Sequence, residues 1–181
     1  MNNAQLIKTS KRLSRHLRHA PEEIGLRLDP AGWVAVADLL AGFARQGRAL
    51  TRAELDEVVA GNDKRRFEFD AGGTRIRASQ GHSVDVDLAY EVATPPDVLY
   101  HGTVAAALTA IRVEGLKPMR RHAVHLSAAV ETAVKVGARR GKPVVLTVDA
   151  AGMQRAGHEF RVSTNGVWLV AAVPPTFLGG L

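Results

Sequence analysis

The chain has 181 residues, of which 24 are Lys or Arg, 18 are Asp or Glu, 7 are His and none is Cys. Its apolar fraction of 46% and charged fraction of 23% are those of an ordinary globular protein and not of a disordered chain. The absence of Cys excludes a disulfide framework, a thiolate zinc site and a Cys nucleophile, and favours a reducing, cytoplasmic setting. No apolar run approaches the ~20 residues that span a bilayer, and no signal region precedes the first helix, so we expect no membrane partner.

The net charge of +6 favours an anionic partner such as RNA. The charge is concentrated at the N-terminus, where residues 1–20 contain no Asp or Glu. A helix predicted over 4–19 places four of its basic residues on one face, at intervals of three and four. These residues are Lys8, Lys11, Arg15 and Arg18. We take Lys8, Lys11 and Arg15 as candidate RNA-binding residues.

The first half of the chain predicts three helices followed by a hairpin. A second helix carries the apolar residues of 36–43, and a third begins at the capping box Thr51-Arg-Ala-Glu54. Alternating residues at 66–69 and 74–77 predict two strands with a glycine turn between them. This order of elements is that of a winged helix, a fold that often binds nucleic acid.

The pair Pro95-Pro96 marks a break in composition, and we predict two lobes over 1–92 and 93–181. The second lobe alternates short strands with helices, and the overall class is α+β. Its strands are predicted at 98–100, 124–126 and 144–148, and its helices at 105–114 and 128–138. A final hairpin joins 159–162 to 167–171, with Asn165-Gly166 as a tight type I′ turn.

Four basic residues are candidates for a phosphate clamp, because Arg offers a planar fork of donors that matches phosphate oxygens. They are Arg18, His19, Arg77 and Arg139. The alternative is that they are solvated residues, some of which stabilise the negative ends of helix dipoles.

Three further segments could line a ligand site or be ordinary turns and strand ends. They are Gln80-Gly81-His82-Ser83, His101-Gly102-Thr103 following the strand at 98–100, and His125-Leu126-Ser127. His122 and His125 are three residues apart and would face opposite ways on a strand, so we expect no metal site.

Eight stretches together resemble one family, the NAD-dependent RNA 2′-phosphotransferases of tRNA splicing. They are 10–19 (SKRLSRHLRH), 32–34 (GWV), 65–68 (RRFE), 76–83 (IRASQGHS), 100–103 (YHGT), 125–127 (HLS), 141–145 (GKPVV) and 165–169 (NGVWL). Each stretch alone is weak, but they occur in the family's order along nearly the whole chain.

The resemblance implies a winged-helix RNA-binding lobe followed by an NAD-binding lobe with the ADP-ribosyltransferase fold. It implies a reaction in which an internal 2′-phosphate of RNA attacks the nicotinamide ribose of NAD and expels nicotinamide. A hydroxyl of that ribose then attacks the phosphorus of the ADP-ribosylated intermediate. The products are 2′-OH RNA and ADP-ribose 1″,2″-cyclic phosphate. NAD is consumed, and no metal is involved.

By the same resemblance, Arg18, His19, Arg77 and Arg139 surround the 2′-phosphate, in a cleft between the lobes. We add the hypothesis that His19 protonates the leaving RNA oxygen in the second step.

The implied NAD-binding residues fall in three segments. They are Tyr100, His101, Gly102 and Thr103; His125, Leu126 and Ser127; and Asn165, Gly166 and Val167. Gln80, Gly81, His82 and Ser83 join the candidate RNA-binding set.

The chain departs from the family pattern at two positions. Arg140 stands where many members have His, so Arg140 could share the task of Arg139. Arg161 stands where the family often has Tyr, which could alter contacts near NAD or RNA.

Two other functions fit the same residues. One is an ADP-ribosyltransferase that caps terminal phosphates of nucleic acids and stops after the first step. The other is a winged-helix nucleic-acid-binding sensor without NAD turnover. The oligomeric state cannot be derived from the sequence, and we expect a monomer.

Overall fold

The structure, a computed structural model, describes residues 1–61 and 65–180. It divides the chain into two compact units, Met1–Ala89 and Tyr90–Leu181. The described residues form six α-helices and nine short strands in three small sheets. The predicted α+β class is therefore confirmed.

The first unit combines three helices with a small antiparallel sheet. Its helices are α1 (Asn3–Arg18), α2 (Val36–Arg45) and α3 (Arg52–Ala60). Its strands are β1 (Val34–Ala35), β2 (Phe67–Phe69) and β3 (Arg75–Ala78), in the spatial order β1-β3-β2. The predicted helices and hairpin are confirmed, whereas β1 was not predicted because two residues carry no periodicity.

The core of the first unit lies where the helices meet the sheet. Seven of its side chains are fully buried, namely Leu13, Leu17, Leu39, Phe43, Leu55, Ile76 and Ala78. Because Leu13 and Leu17 are one helical turn apart, α1 buries one stripe and leaves Lys8 and Lys11 exposed to solvent. The predicted capping box at the start of α3 is present, with Thr51 accepting from the Glu54 amide and Glu54 accepting from the Thr51 amide.

The second unit contains two small antiparallel sheets and three short helices. One sheet has the order β4 (Val98–Val104), β6 (Pro143–Asp149) and β9 (Leu178–Gly179). The other has the order β5 (Val124–Leu126), β8 (Trp168–Val170) and β7 (Arg161–Val162). The helices are α4 (Leu108–Glu114), α5 (Val130–Gly137) and α6 (Ala150–Arg155).

Strand β4 is longer than predicted, and the expectation that His101-Gly102-Thr103 follows the strand is wrong. All three residues lie within β4 and pair with β6. Glycine has a low intrinsic propensity for strands, so Gly102 alone would be expected to weaken β4. In the fold it allows close packing, because a Cβ atom at position 102 would lie 1.8 Å from the carbonyl oxygen of Ala133 in α5.

The turn at Asn165-Gly166 is also different from the predicted type I′ turn. Gly166 has a positive φ of 77°, but Asn165 does not, and a type I′ turn requires both. The Gly166 amide donates to the Ser163 carbonyl at 2.8 Å, and the Ser163 amide donates to the Val167 carbonyl at 2.9 Å. The hairpin therefore has a three-residue loop that ends in a left-handed glycine.

Candidate active site

The end of α1 and the loop after β3 bring together three of the predicted site residues. Arg18 is the last residue of α1 and His19 is its C-cap. The Ser83 amide donates to the Arg18 carbonyl at 2.9 Å, and the Ser83 hydroxyl lies 2.9 Å from His19 Nδ1. The loop thus satisfies a carbonyl at the helix end and places a hydrogen-bond partner against the exposed His19 ring.

Within the predicted segment 80–83, exposure differs sharply from one residue to the next. Ser83 is exposed, whereas Gly81 is buried and His82 is only 2% exposed. The His82 ring packs against Gly32, where a Cβ atom would lie 3.4 Å from Nε2. The structure therefore gives His82 a place in the interior of the first unit, whereas Ser83 is exposed and Gln80 is partly exposed.

Arg77 lies in a network of contacts inside the first unit. Its Nε donates to Glu68 Oε1 at 2.7 Å, and its Nη1 donates to the carbonyls of Ala31 and Leu88 at 3.2 and 3.1 Å. The guanidinium lies 4.5 Å from the ring centroid of Trp33, and the side chain is 11% exposed. These contacts give Arg77 a structural task, and its role at a phosphate remains a prediction.

Arg66 is a neighbour of Arg18 to which the sequence assigned no role. Arg18 Nη2 donates to the Arg66 carbonyl at 3.4 Å. The Ser79 amide also donates to that carbonyl, at 2.9 Å, which extends the β2–β3 pairing by one residue. Because side chains alternate along a strand, Arg66 falls on the same face as Glu68 and Arg77. Its presence in the matched stretch 65–68 was the available signal.

The predicted basic stripe on α1 is only partly available for an anionic ligand. Arg15 forms an ion pair with Glu23, in which Arg15 Nε donates to Glu23 Oε2 at 2.7 Å. This hydrogen bond lowers the pKa of Glu23, so the carboxylate stays charged beside Arg15. Lys8 and Lys11 are exposed on the same helix.

In the second unit, β4 and the end of β5 bring two predicted NAD-binding segments together. Tyr100 and Ser127 exchange two backbone hydrogen bonds, both of 2.8 Å. One residue along, His101 Nδ1 lies 3.1 Å from the His125 carbonyl oxygen. Because a carbonyl only accepts, Nδ1 of His101 carries the proton.

His101 is held in its neutral form. Burial lowers the pKa of His101, and the positive charges of Arg140 and Arg121 lower it further, against the opposing effect of the His125 carbonyl. A neutral His101 with its proton on Nδ1 offers Nε2 as a hydrogen-bond acceptor. Arg140, which departs from the family pattern, therefore lies close enough to act on this ring.

Three arginines gather beside these histidines. Burial lowers the pKa of Arg121, and the charges of Arg140 and Arg139 lower it further. Arg121 Nη1 donates to His125 Nδ1 at 2.6 Å. In the part of the chain that the structure describes, none of the three forms an ion pair with a carboxylate. Like charges that converge without acidic partners are typical of a site for an anion.

Arg121 was missed by the sequence analysis. It precedes β5 in a loop, and the doublet Arg120-Arg121 was the only local signal. In contrast to the exposed arginines, two residues of the predicted NAD-binding set lie in the interior of the unit: Thr103 is 6% exposed and Leu126 is 1% exposed.

The third predicted NAD-binding segment lies in the β7–β8 hairpin. The Ser163 hydroxyl donates to Asn165 Oδ1 at 2.6 Å, which fixes the asparagine side chain within its own loop. Strand β8 pairs with β5, with Trp168 opposite Leu126. The hairpin is thus connected through one sheet to the segment that carries His125.

Arg161 ties the start of the second unit to β7. Its Nη1 donates to the Tyr90 carbonyl, and its Nη2 lies 3.6 Å from Glu159 Oε2. These contacts give Arg161 a structural role within the second unit.

The described ranges, 1–61 and 65–180, hold no group of three or more His, Cys, Asp or Glu residues that could bind a metal ion. No helix in them has both the length and the apolar character needed to cross a bilayer.

Comparison with known proteins agrees with the family resemblance. The model of the RNA 2′-phosphotransferase, Tpt1 / KptA family matches residues 4–172. A probable RNA 2′-phosphotransferase of Streptomyces griseus subsp. griseus is 62% identical, with 98% of each chain covered. Proteins of the same description from Streptomyces coelicolor and Nostoc punctiforme are 62% and 52% identical, each over 98% of this chain and 97% and 98% of their own. The chain therefore belongs to the RNA 2′-phosphotransferase, Tpt1 / KptA family of enzymes.

Proposed function

We propose that this enzyme removes an internal 2′-phosphate from RNA, of the kind left at a tRNA splice junction, with NAD as a consumed co-substrate. The observation that carries the proposal is a cluster of histidine and arginine side chains in the second unit. The histidines of two candidate NAD-binding segments meet there beside three arginines, and within residues 1–61 and 65–180 no carboxylate forms an ion pair with any of the three.

The residues present fit a dinucleotide. A neutral His101 offers a ring acceptor to a ribose hydroxyl, and the arginine cluster offers charge to phosphate groups. When bound, NAD supplies an electrophilic ribose carbon and a hydroxyl that later receives the phosphorus. The proposed cofactor-binding segments are Tyr100 to Thr103, His125 to Ser127 and Asn165 to Val167. Within them, Gly102, Thr103 and Leu126 contribute by packing in the interior of the unit.

The RNA phosphate needs positioning and not activation. A 2′-phosphate is anionic near neutral pH, so it can attack without a general base, and the barrier is lowered by orientation and by charge. We assign Arg18, His19 and Arg139 to this phosphate. Arg77 supports the candidate residues of the first unit through its contacts with Glu68 and two loop carbonyls.

His19 is the proposed acid of the second step. Its ring lies at hydrogen-bond distance from the Ser83 hydroxyl, which limits its rotation. Protonation of the RNA 2′ oxygen by His19 would help that oxygen leave as the phosphorus is transferred.

We also propose a division of labour between the two units. The first would be a winged-helix-like RNA-binding lobe, since it has three helices and a hairpin and exposes Lys8 and Lys11. The second would be an NAD-binding lobe of the ADP-ribosyltransferase type.

The reaction is tested with a short RNA that bears one internal 2′-phosphate, incubated with and without NAD and without added metal. Mass analysis should find 2′-OH RNA and a cyclic ADP-ribose phosphate only when NAD is present. RNA that gains ADP-ribose and keeps it would identify a capping enzyme instead. No change in either substrate, from a folded protein that binds NAD, would favour a sensor.

The acid role of His19 needs a separate experiment. His19→Asn should allow ADP-ribosylated RNA to accumulate and should flatten the pH profile of the second step. A second-step rate and pH profile equal to those of the wild type would reject that role while leaving the overall reaction intact.

A further inference from the structure

The hydrogen bonds around the two histidines of the second unit have a direction that determines their tautomers. The guanidinium of Arg121 contains only donors, so the 2.6 Å contact with His125 requires Nδ1 of that ring to accept. A neutral imidazole that accepts at Nδ1 carries its proton on Nε2.

The backbone carbonyl of His125 determines the opposite tautomer in the ring of His101. The His125 carbonyl accepts from His101 Nδ1 at 3.1 Å, so the proton of His101 lies on Nδ1. Its Nε2 therefore has the lone pair. The two rings are linked through one residue, and they differ in which nitrogen is protonated.

We propose that Arg121 is a positioning residue that holds His125 as the Nε2–H tautomer, so that the His125–His101 pair offers one ring donor and one ring acceptor to the ribose hydroxyls of the dinucleotide. A hydroxyl group both donates and accepts, and a pair of rings with opposite polarity satisfies both capacities. This inference rests on the proposed use of NAD.

The surroundings of Arg121 favour this arrangement over a protonated His125. Arg139 and Arg140 act on Arg121 electrostatically, and Arg140 also acts on His101. A proton on His125 Nδ1 would remove the acceptor from Arg121 and add a positive charge next to arginines already close together.

The test compares four proteins by long-range ¹H–¹⁵N NMR of their imidazoles at pH 7.5, without NAD or RNA. They are the wild type, R121A, R121Q and the control R120A, which removes an exposed neighbouring cation. The His125 signals are identified by their loss in a fifth protein, H125Q.

The wild type and R120A should show His125 protonated on Nε2. R121A should show a mixture of the two neutral tautomers of His125, because the donor to Nδ1 is gone. R121Q should restore the wild-type tautomer in part, because its uncharged amide can donate to Nδ1 but, unlike the guanidinium, can also accept. This rescue separates the hydrogen bond from the positive charge of Arg121.

Steady-state kinetics give the functional readout. KM for NAD should rise about tenfold in R121A, the size expected for one lost charge-assisted hydrogen bond, with a smaller rise in R121Q and little change in kcat. A His125 proton found on Nδ1 in the wild type, or the same tautomer in R121A as in the wild type, would overturn the inference. So would an unchanged KM in a variant whose tautomer has shifted.

Failure of the inference is distinguishable from failure of the proposed function. The NMR measurement requires neither substrate. A wild-type enzyme that releases no nicotinamide in the presence of 2′-phosphorylated RNA would remove the proposed function and, with it, the role assigned to the pair. Normal turnover with an unaffected tautomer would reject the role of Arg121 alone.

Discussion

The two units of the chain hold their candidate residues by different physical means. In the first unit, arginine side chains are paired with acids: Arg15 with Glu23, and Arg77 with Glu68. In the second unit, strand pairing and a close-packed glycine position the candidate histidines, while Arg121, Arg139 and Arg140 lie near one another.

We infer from this difference that the paired arginines maintain the fold, whereas the clustered arginines bind an anionic ligand. A paired, partly buried arginine satisfies acceptors of the protein itself, and its loss leaves them buried without a donor. A cluster of like charges costs stability until an anion neutralises it, so function is the simplest reason for its presence. If the arginines of the two units differ in this way, substitutions in the first unit should lower stability and substitutions in the second should lower activity.

The largest expected effect is on catalysis by Arg139→Ala. Turnover of 2′-phosphorylated RNA should fall by roughly 10²–10³, the range for removal of one group that stabilises charge in a transition state. The free energy of unfolding should change by less than about 0.5 kcal/mol, because Arg139 is exposed. Single-turnover kinetics and urea unfolding measure the two quantities.

Arg155→Ala is the matched control, since Arg155 is an exposed arginine in the last turn of α6 in the same unit. It should leave both turnover and stability unchanged. If Arg139→Ala instead abolished cooperative unfolding, Arg139 would be a structural residue and the proposed distinction would not hold for the second unit.

Arg77→Ala should act mainly on stability. It removes the partner of Glu68 and the donor to two loop carbonyls, where the paired side chains are only 11% and 21% exposed. Loss of one member of a fully buried pair costs about 3–5 kcal/mol, so for this partly buried pair urea unfolding should show a decrease of about 3 kcal/mol, at the lower end of that range.

Arg75→Ala supplies the comparison for Arg77→Ala. Arg75 is also paired with an acid, but its side chain is 51% exposed, so its loss should cost at most about 1 kcal/mol. A fully stable Arg77→Ala protein that had lost turnover would assign Arg77 to the phosphate site, as the family resemblance implied.

Gly102→Ala should destabilise the second unit through backbone crowding. The added Cβ atom would lie 1.8 Å from the Ala133 carbonyl oxygen and 2.8 Å from the Gly137 nitrogen, and both belong to the backbone of α5. We expect a loss of about 1–3 kcal/mol, as for overpacked cores, measured by thermal and urea unfolding.

Gly72→Ala is the control, since the nearest atoms to its Cβ belong to the Thr74 side chain at 3.8 Å and beyond. Equal stability of the two variants would show that α5 can move away from β4, and that Gly102 is not needed for the packing.

The elements that could be predicted from the sequence are those determined by local chemistry. The capping box at Thr51 and Glu54 marks the start of α3 because both partners are within four residues. Gly115, with a positive φ of 73°, ends α4 in the same local way. The Asn165-Gly166 pair correctly indicated a hairpin, although the number of residues in its loop depends on how β7 and β8 pair.

The features that could not be predicted depend on contacts distant in sequence. The extent of β4 follows from the approach of α5 to Gly102, 31 residues before Ala133. The structural contacts of Arg77 with Ala31 and Leu88 were not predicted, because they have no signature in the sequence. Arg121 was missed because its hydrogen bond to His125 depends on the position of the imidazole ring, which the sequence does not show.

The smallest expected effect concerns the pH dependence of stability through His101. Its pKa is lowered in the folded state, chiefly by burial, from an ordinary value of 6.5. As the pH falls through 6.5 the unfolded chain takes up a proton at this position while the folded protein does not. Stability is therefore lost toward acid until the lower, folded-state pKa is reached.

His101→Gln should reduce this loss, because the glutamine amide can donate to the His125 carbonyl but does not titrate. Urea unfolding of the wild type and the variant at several pH values between 7.5 and 5 isolates the contribution, since the other titrating groups are common to both. The wild type should lose more stability over this range than the variant. Parallel curves would mean that His101 titrates alike in both states, and that the arginines of the second unit do not act on it as the cluster requires.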